Sequence, residues 1–196
     1  MMLSVAVLVS GRGTNLQAIL DACATGSVAA RVVYVGSNRD GVPALIRAAR
    51  AGVPHAAFTI AAYGSRAAAQ AAMADAIVRA GAKLVVHAGF DHILGHEYFV
   101  RLGGIPIINV HPALLPLFGG KGMYGDRVHA AVLAAGAKET GVTVHRVHPD
   151  TIDLGEVIVQ RRVPVDPSDD VPTLAARVLA EEHKAIVDAI RTFAAA

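Results

Sequence analysis

Apolar positions along the chain fall into two rhythms. Short unbroken runs alternate with stretches in which apolar residues recur every three or four positions. Leu3 to Val9 is a run closed by Ser10-Gly11, the pattern of a strand buried on both faces. Arg31 to Val35, Pro54 to Ile60, Lys83 to His87 and Ile105 to Val110 predict four more strands. Between them the spacing predicts helices. One is capped by Thr14 or Asn15 and runs to about Thr25, with Leu16, Ile19 and Leu20 on one face. A second covers Pro43 to Ala51, and an alanine-rich third covers Ser65 to Ala80, with Gly81 as C-cap. This alternation predicts an α/β fold: a Rossmann-like, mostly parallel sheet flanked by helices on both faces.

The rhythm then changes. Asp126 to Ala135 predicts a helix, Val142 to Val147 alternates apolar with polar, and Glu156 to Val165 is a further strand. The last two are expected to pair as an antiparallel C-terminal extension, joined by the turn from Pro149 to Gly155. Pro172 to Phe193 closes the chain as an amphipathic helix, with Thr173 near its start. No internal repeat or linker divides the sequence, so residues 1–196 read as a single domain.

Ligands of such sheets bind beyond the carboxyl ends of the strands. Ser10-Gly11, Ala88-Gly89 and Asn109 to His111 lie at such ends and are expected to converge. The loop Ser10-Gly-Arg-Gly-Thr-Asn15 follows a strand and opens a helix, where free amides and the helix dipole favour an anion. It is neither a dinucleotide fingerprint, since Leu16 holds the third glycine position, nor a P-loop, since no Gly-Lys-Ser/Thr follows. A monophosphate cradle fits it, with Arg66 as a candidate second charge. Asn109 and His111 alternate onto one face of a strand end, stiffened by Pro112 and Pro116. An amide that donates to a developing oxyanion beside an imidazole that moves a proton suits acyl-type chemistry. There is no Gly-x-Ser-x-Gly elbow and Cys23 lies away from any strand end, so direct transfer fits better than a covalent intermediate. Asp150 and Asp153, both in the turn between the last two strands, are rival carboxylate partners for His111. His92 follows Phe90-Asp91 in a loop suited to binding.

Composition narrows the setting. Residues are 54% hydrophobic and 17% charged, enough for a large core, and the net charge of +2 comes without a basic run. That leaves no nucleic-acid footprint and agrees with small anionic ligands. No apolar run nears the roughly 20 residues a membrane span needs. The apolar N-terminus lacks the basic region of a signal peptide, and the single cysteine fits a reducing compartment, so the expected location is the cytoplasm. His87 fits a core histidine, while His145 and His148 flank a strand end. None of the nine histidines shows metal-ligand spacing, so no metal is expected.

Several segments together resemble the phosphoribosylglycinamide formyltransferase family: Ser10 to Ala18, Ser37-Asn38, Ser65-Arg66, Ala88 to Leu94, Asn109 to Pro116, Gly141 to His145, Asp153 to Gly155 and Glu182-His183. They run in the family's order over nearly the whole chain. The resemblance implies the formyltransferase fold and transfer of a formyl group from 10-formyltetrahydrofolate to the amine of glycinamide ribonucleotide, through a tetrahedral intermediate. It implies that Gly13, Thr14 and Asn15 hold the ribonucleotide phosphate, and that Leu179, Ala180, Glu181 and Glu182 lie where that substrate is contacted. It assigns Asp91, His92, Ile93 and Leu94 to the folate pocket, largely through backbone, with Arg66 and Asn109 nearby. Asn109 and His111 then stabilise the oxyanion and move the proton, and Asp153 raises the pKa of His111. Family members often carry Met-Arg where this chain has Asp91-His92. The segment Phe118 to Gly125 reads as a mobile lid, with Lys121 a candidate anion contact. The partners implied are these two small molecules, with no nucleic acid and no membrane, in a monomer or homodimer. A hydrolase of the formyl-folate is the alternative within enzymes, although such relatives carry an extra N-terminal domain. A non-catalytic nucleotide-binding protein is the alternative outside them.

Overall fold

The computed structural model of the protein describes residues 2–149 and 151–195. Among these residues seven strands form one sheet in the order β3-β2-β1-β4-β5-β6-β7. The parallel part holds β1 (Leu3–Val9), β2 (Ala30–Ser37), β3 (His55–Ala57), β4 (Leu84–His87) and β5 (Ile107–His111). The strands β6 (Glu139–Arg146) and β7 (Val157–Pro164) complete it antiparallel, as the alternating pattern predicts.

Burial on both faces explains the apolar runs. Val5, Val7 and Val9 of β1 face a core closed by α1 (Thr14–Ala24), α2 (Pro43–Arg50), α6 (Asp126–Ala134) and α7 (Val171–Ala194), through Leu16, Ile19, Leu45, Val132, Leu174, Val178 and Ile186. Ala6 and Leu8 face the opposite core, where α4 (Arg66–Arg79) and α5 (His96–Leu102) contribute Met73, Ile77, Tyr98 and Leu102. Alternation along each strand sends successive side chains to opposite faces, so both faces need apolar residues.

Several local expectations give way. The cap of α1 is neither Thr14 nor Asn15 but Gly13, whose φ of 71° is left-handed and whose place has no side-chain cap. A Cβ there would lie 2.6 Å from that of Ala44, so only glycine fits. The third strand is shorter than Pro54 to Ile60, because Thr59 caps a four-residue turn of helix, α3 (Ile60–Tyr63). The helix α5 has no counterpart in the sequence reading; it is short and opens without a side-chain cap. In α7 the N-cap is Asp170, which forms a reciprocal capping box with Thr173.

The strand order reverses at β1, which pairs β2 on one side and β4 on the other. Such a switch point opens a crevice at the carboxyl edge. The end of β6 and the turn after it set the far wall, and β6 approaches β7 closely at Gly141: a Cβ there would lie 2.0 Å from the Arg161 carbonyl oxygen. Gly141→Ala is expected to lower stability by about 1–3 kcal/mol through overpacking, read as a lower urea midpoint.

Candidate active site

A cleft of ≈ 1070 Å³ opens at this edge, lined by Ser10 to Asn15, His87 to Leu94, Asn109 to Pro112, Gly120 to Asp126, His145 to His148, Asp153, Leu179 and Glu182 among others. The three strand ends that the sequence reading expected to meet do meet here.

Its floor is a row of side chains in register. His87 of β4 stands opposite Asn109 of β5, and Asn109 opposite His145 of β6. His111, two residues beyond Asn109, projects from the same face. The imidazole Nδ1 of His145 donates to the Arg146 carbonyl at 2.8 Å, which sets the tautomer whose Nε2 accepts. The Asn109 Nδ2 donates to it at 3.3 Å. One hydrogen of that amide remains for a ligand.

His111 is 3% exposed, and its Nε2 donates to the Phe118 carbonyl at 2.9 Å. Its Nδ1 lies 3.7 Å from Oδ2 of Asp153, and His145 Nε2 lies 3.4 Å from Oδ1. Of the two rival turn carboxylates, Asp153 is thus at His111; Asp150 lies outside the described residues. Asp153 has a φ of 57°, unusual for a residue with a side chain, and accepts from the Gly120 amide at 2.9 Å. Gly155 closes the turn: a Cβ there would lie 1.8 Å from the Arg146 carbonyl oxygen.

Burial alone would raise the carboxyl pKa of Asp153. The neighbouring His145 ring, the hydrogen bond from the Gly120 amide and the field of His111 outweigh it and hold the group below its ordinary value. Burial also dominates at His111 and lowers its pKa, against the Asp153 charge and the Phe118 carbonyl, which raise it. Asp153 thus acts on His111 in the upward direction, and the larger desolvation of the imidazolium sets the net direction downward.

At the other end, Asn15 donates through Nδ2 to Glu182 Oε2 at 2.6 Å, while its Oδ1 is buried with no partner among the described residues. Gly13 and Thr14 line the same end of the cleft. Burial raises the Glu182 pKa, opposed by the Asn15 amide and the Arg12 charge. Leu179 and Glu182 face the cleft, but Ala180 is exposed and Glu181 turns to Lys184 and Arg161. Four consecutive helical residues cannot share one face; i and i+3 can. Arg66 does not line the cleft: it is exposed at the first turn of α4, and its charge reaches His92, whose pKa is lowered by burial first and then by Arg66. The cations in the cleft wall are Arg12, Arg39, Lys121 and Arg146.

The 91–94 loop is fixed from behind. Gln70 donates to the Ile93 carbonyl and accepts from the Gly95 amide, both at 2.9 Å. The Asp91 carboxylate is held by Asn38 Nδ2 at 2.9 Å and by Arg39, and its own amide donates to Ser10 Oγ at 3.0 Å. Its side chain therefore ties two loops together and leaves backbone to face the cleft. Sequence reasoning missed His145; the alternation in Val142 to Val147, paired with β5, was the signal that puts it beside Asn109. Among the described residues no group of three or more His, Cys, Asp or Glu is placed to hold a metal ion, and no helix is long and apolar enough to cross a membrane.

A family model described as formyl transferase matches residues 3–190. The chain belongs to the formyl transferase family. Within that family it is 35% identical over 183 residues to the phosphoribosylglycinamide formyltransferase of Haemophilus influenzae, covering 93% of this chain and 83% of that one. It is 40% identical over 190 residues to the trifunctional purine biosynthetic protein adenosine-3 of Bos taurus, which is 97% of this chain but 18% of that relative's length. The solved structure of glycinamide ribonucleotide transformylase 1 from Symbiobacterium toebii superposes with a TM-score of 0.91 at 41% identity, over 99% of this chain and 88% of that one. Its counterpart from Geobacillus kaustophilus gives 0.89 at 35%, over 99% and 100%. These neighbours share the sheet described above, so the formyltransferase fold is the fold of this chain.

The partly buried Glu182 makes a pH-dependent prediction. Its folded pKa lies above the unfolded value, so stability is lost as pH rises through the ordinary glutamate range. Glu182→Gln keeps an oxygen for Asn15 and is expected to raise the melting temperature at pH 7 to 8, with the gain disappearing toward pH 4.

Proposed function

We propose that the chain transfers the formyl group of 10-formyltetrahydrofolate to the amine of glycinamide ribonucleotide, a step of purine biosynthesis. The observation that carries this reading is the meeting of Asn109, His111 and Asp153 in one cleft with the free amides of the glycine loop. Relatives named for this reaction support it, with both fold and sequence matched over nearly the whole chain. The volume and walls of the cleft suit a fused-ring folate beside a ribonucleotide: an open phosphate cradle at one end, and backbone at 91–94 flanked by Phe90, Leu94 and Phe99 at the other.

The folate supplies the one-carbon unit and the ribonucleotide the nucleophilic amine. The chain's own groups do the rest. The free hydrogen on Asn109 Nδ2 donates to the oxyanion that grows as the new C–N bond forms, and His145 keeps that amide from flipping. His111 carries the proton from the attacking amine to the departing folate nitrogen. The burial that lowers its pKa keeps it neutral and able to accept, and Asp153 stabilises the imidazolium while it carries the proton. Gly13, Thr14 and Asn15 hold the phosphate, and Glu182, with Leu179 beside it, contacts the polar groups of the ribonucleotide. Asp91 to Leu94 hold the folate through backbone. A location in the cytoplasm agrees with one unpaired cysteine, Cys23.

His111→Ala is expected to cut kcat by at least ~100-fold, the usual worth of a general acid-base group; near-normal turnover removes it from the mechanism. Asp153→Asn is expected to slow the reaction and move the limb of the pH-rate profile that reports His111 to lower pH, because the charge that favours imidazolium is gone. An assay with both substrates beside a control lacking the ribonucleotide decides the reaction: formyl-folate consumed at the same rate in both makes the enzyme a hydrolase.

A further inference from the structure

The cleft floor contains one polar group that this mechanism leaves unused. His87 ends β4, is 5% exposed, and lines the cleft. Its Nε2 is buried with no hydrogen-bond partner among the described residues. Burial, and then the neighbouring His145, lowers its pKa to about 3, so the ring is neutral at any working pH. The ring lies tilted at 47° to Phe90, with centroids 5.4 Å apart, and Phe90 in turn meets His92 edge-on. Leu94, Phe99 and Val147 complete the surrounding wall.

An imidazole nitrogen left unpartnered at this place is unfavourable in the empty protein, because a buried polar atom without a partner has lost its water and gained nothing. An apolar residue such as leucine would fill the place at no such cost. A ligand that reaches into the wall and bonds the ring recovers the loss on binding. The position is specific: His87 lies in register with Asn109, one strand further from the antiparallel wall, and next to the 91–94 loop.

We propose that His87 is a specificity residue for the folate, bonding a polar edge of the pterin ring system, a flat heterocycle that carries both donors and acceptors. A neutral imidazole offers one donor and one acceptor, so it serves either kind of edge atom through the matching tautomer. The aromatic and aliphatic neighbours take the ring faces, and His87 distinguishes the pterin from a purely apolar ring of the same shape. The proposal rests on the formyl-folate reading of the cleft.

The test is the pair His87→Leu and His87→Gln, with KM measured separately for both substrates and tetrahydrofolate binding measured by calorimetry. His87→Leu is expected to raise the folate KM and the tetrahydrofolate Kd about five- to tenfold, the worth of one neutral hydrogen bond. The ribonucleotide KM is expected to stay unchanged and kcat to change less than about threefold. His87→Gln, which keeps a donor and an acceptor, is expected to recover most of the affinity. A folate KM and Kd unchanged in the Leu variant overturns the proposal, whatever happens to the melting temperature. Should the Leu variant fail to fold, the ring-nitrogen shifts of His87 in the wild-type protein decide. They are expected to move when tetrahydrofolate is added, and no movement in the bound state overturns the proposal. Absence of formyl transfer and of tetrahydrofolate binding in the wild type would instead sink the functional reading, and is separately visible.

Discussion

The Gly120 amide reaches Asp153 across 33 residues of chain, at 2.9 Å, and the geometry of the site follows from that junction. It fixes a carboxylate between His111 and His145, on a turn whose left-handed backbone at Asp153 needs support from outside itself. The same loop returns the Phe118 carbonyl to His111 Nε2. The imidazole is thus held at one nitrogen by backbone and faced at the other by a charge. Gly119, between those two contacts, sits in a tight place: a Cβ would lie 2.5 Å from the tip of Leu115 and 3.2 Å from Asp153. The segment read from sequence as a lid is, in its first three residues, part of the frame.

Two opposing electrostatic demands are met in the cleft by position along the sheet edge. Near Asp153, donors converge and an anion is favoured despite burial. Near Glu182, one amide and a more distant guanidinium do not balance burial, and the carboxyl pKa is raised. The two carboxylates therefore enter the reaction with different affinities for a proton, though both belong to one cavity.

Much of this was legible in the chain. Unbroken apolar runs could only be strands buried on both faces, and their ends had to share an edge; Asn109 and His111 followed from alternation alone. What was not legible depended on pairing between distant segments. His145 acquires meaning only when β6 lies antiparallel to β5 in the register that sets it opposite Asn109. Ala180 and Glu181 came with a motif read as a contiguous block, whereas a helix shows only every third or fourth residue to one side. Arg66 stood next to a helix start, and no local pattern states which way a long exposed side chain leaves the surface. Asp91 looked like a binding residue because of its loop; its partners, Asn38 and Arg39, lie more than fifty residues earlier.

The Asn15 to Glu182 bond spans 167 residues, joining the first helix to the last. A ribosome releases the chain in order, so the amide emerges early and waits for its partner until α7 has been made. The sheet can assemble strand by strand before then, but the cleft cannot acquire this wall. Competence therefore arrives late and at once, because α7 brings both this wall and the core residues Leu174, Val178, Ile186 and Ile190.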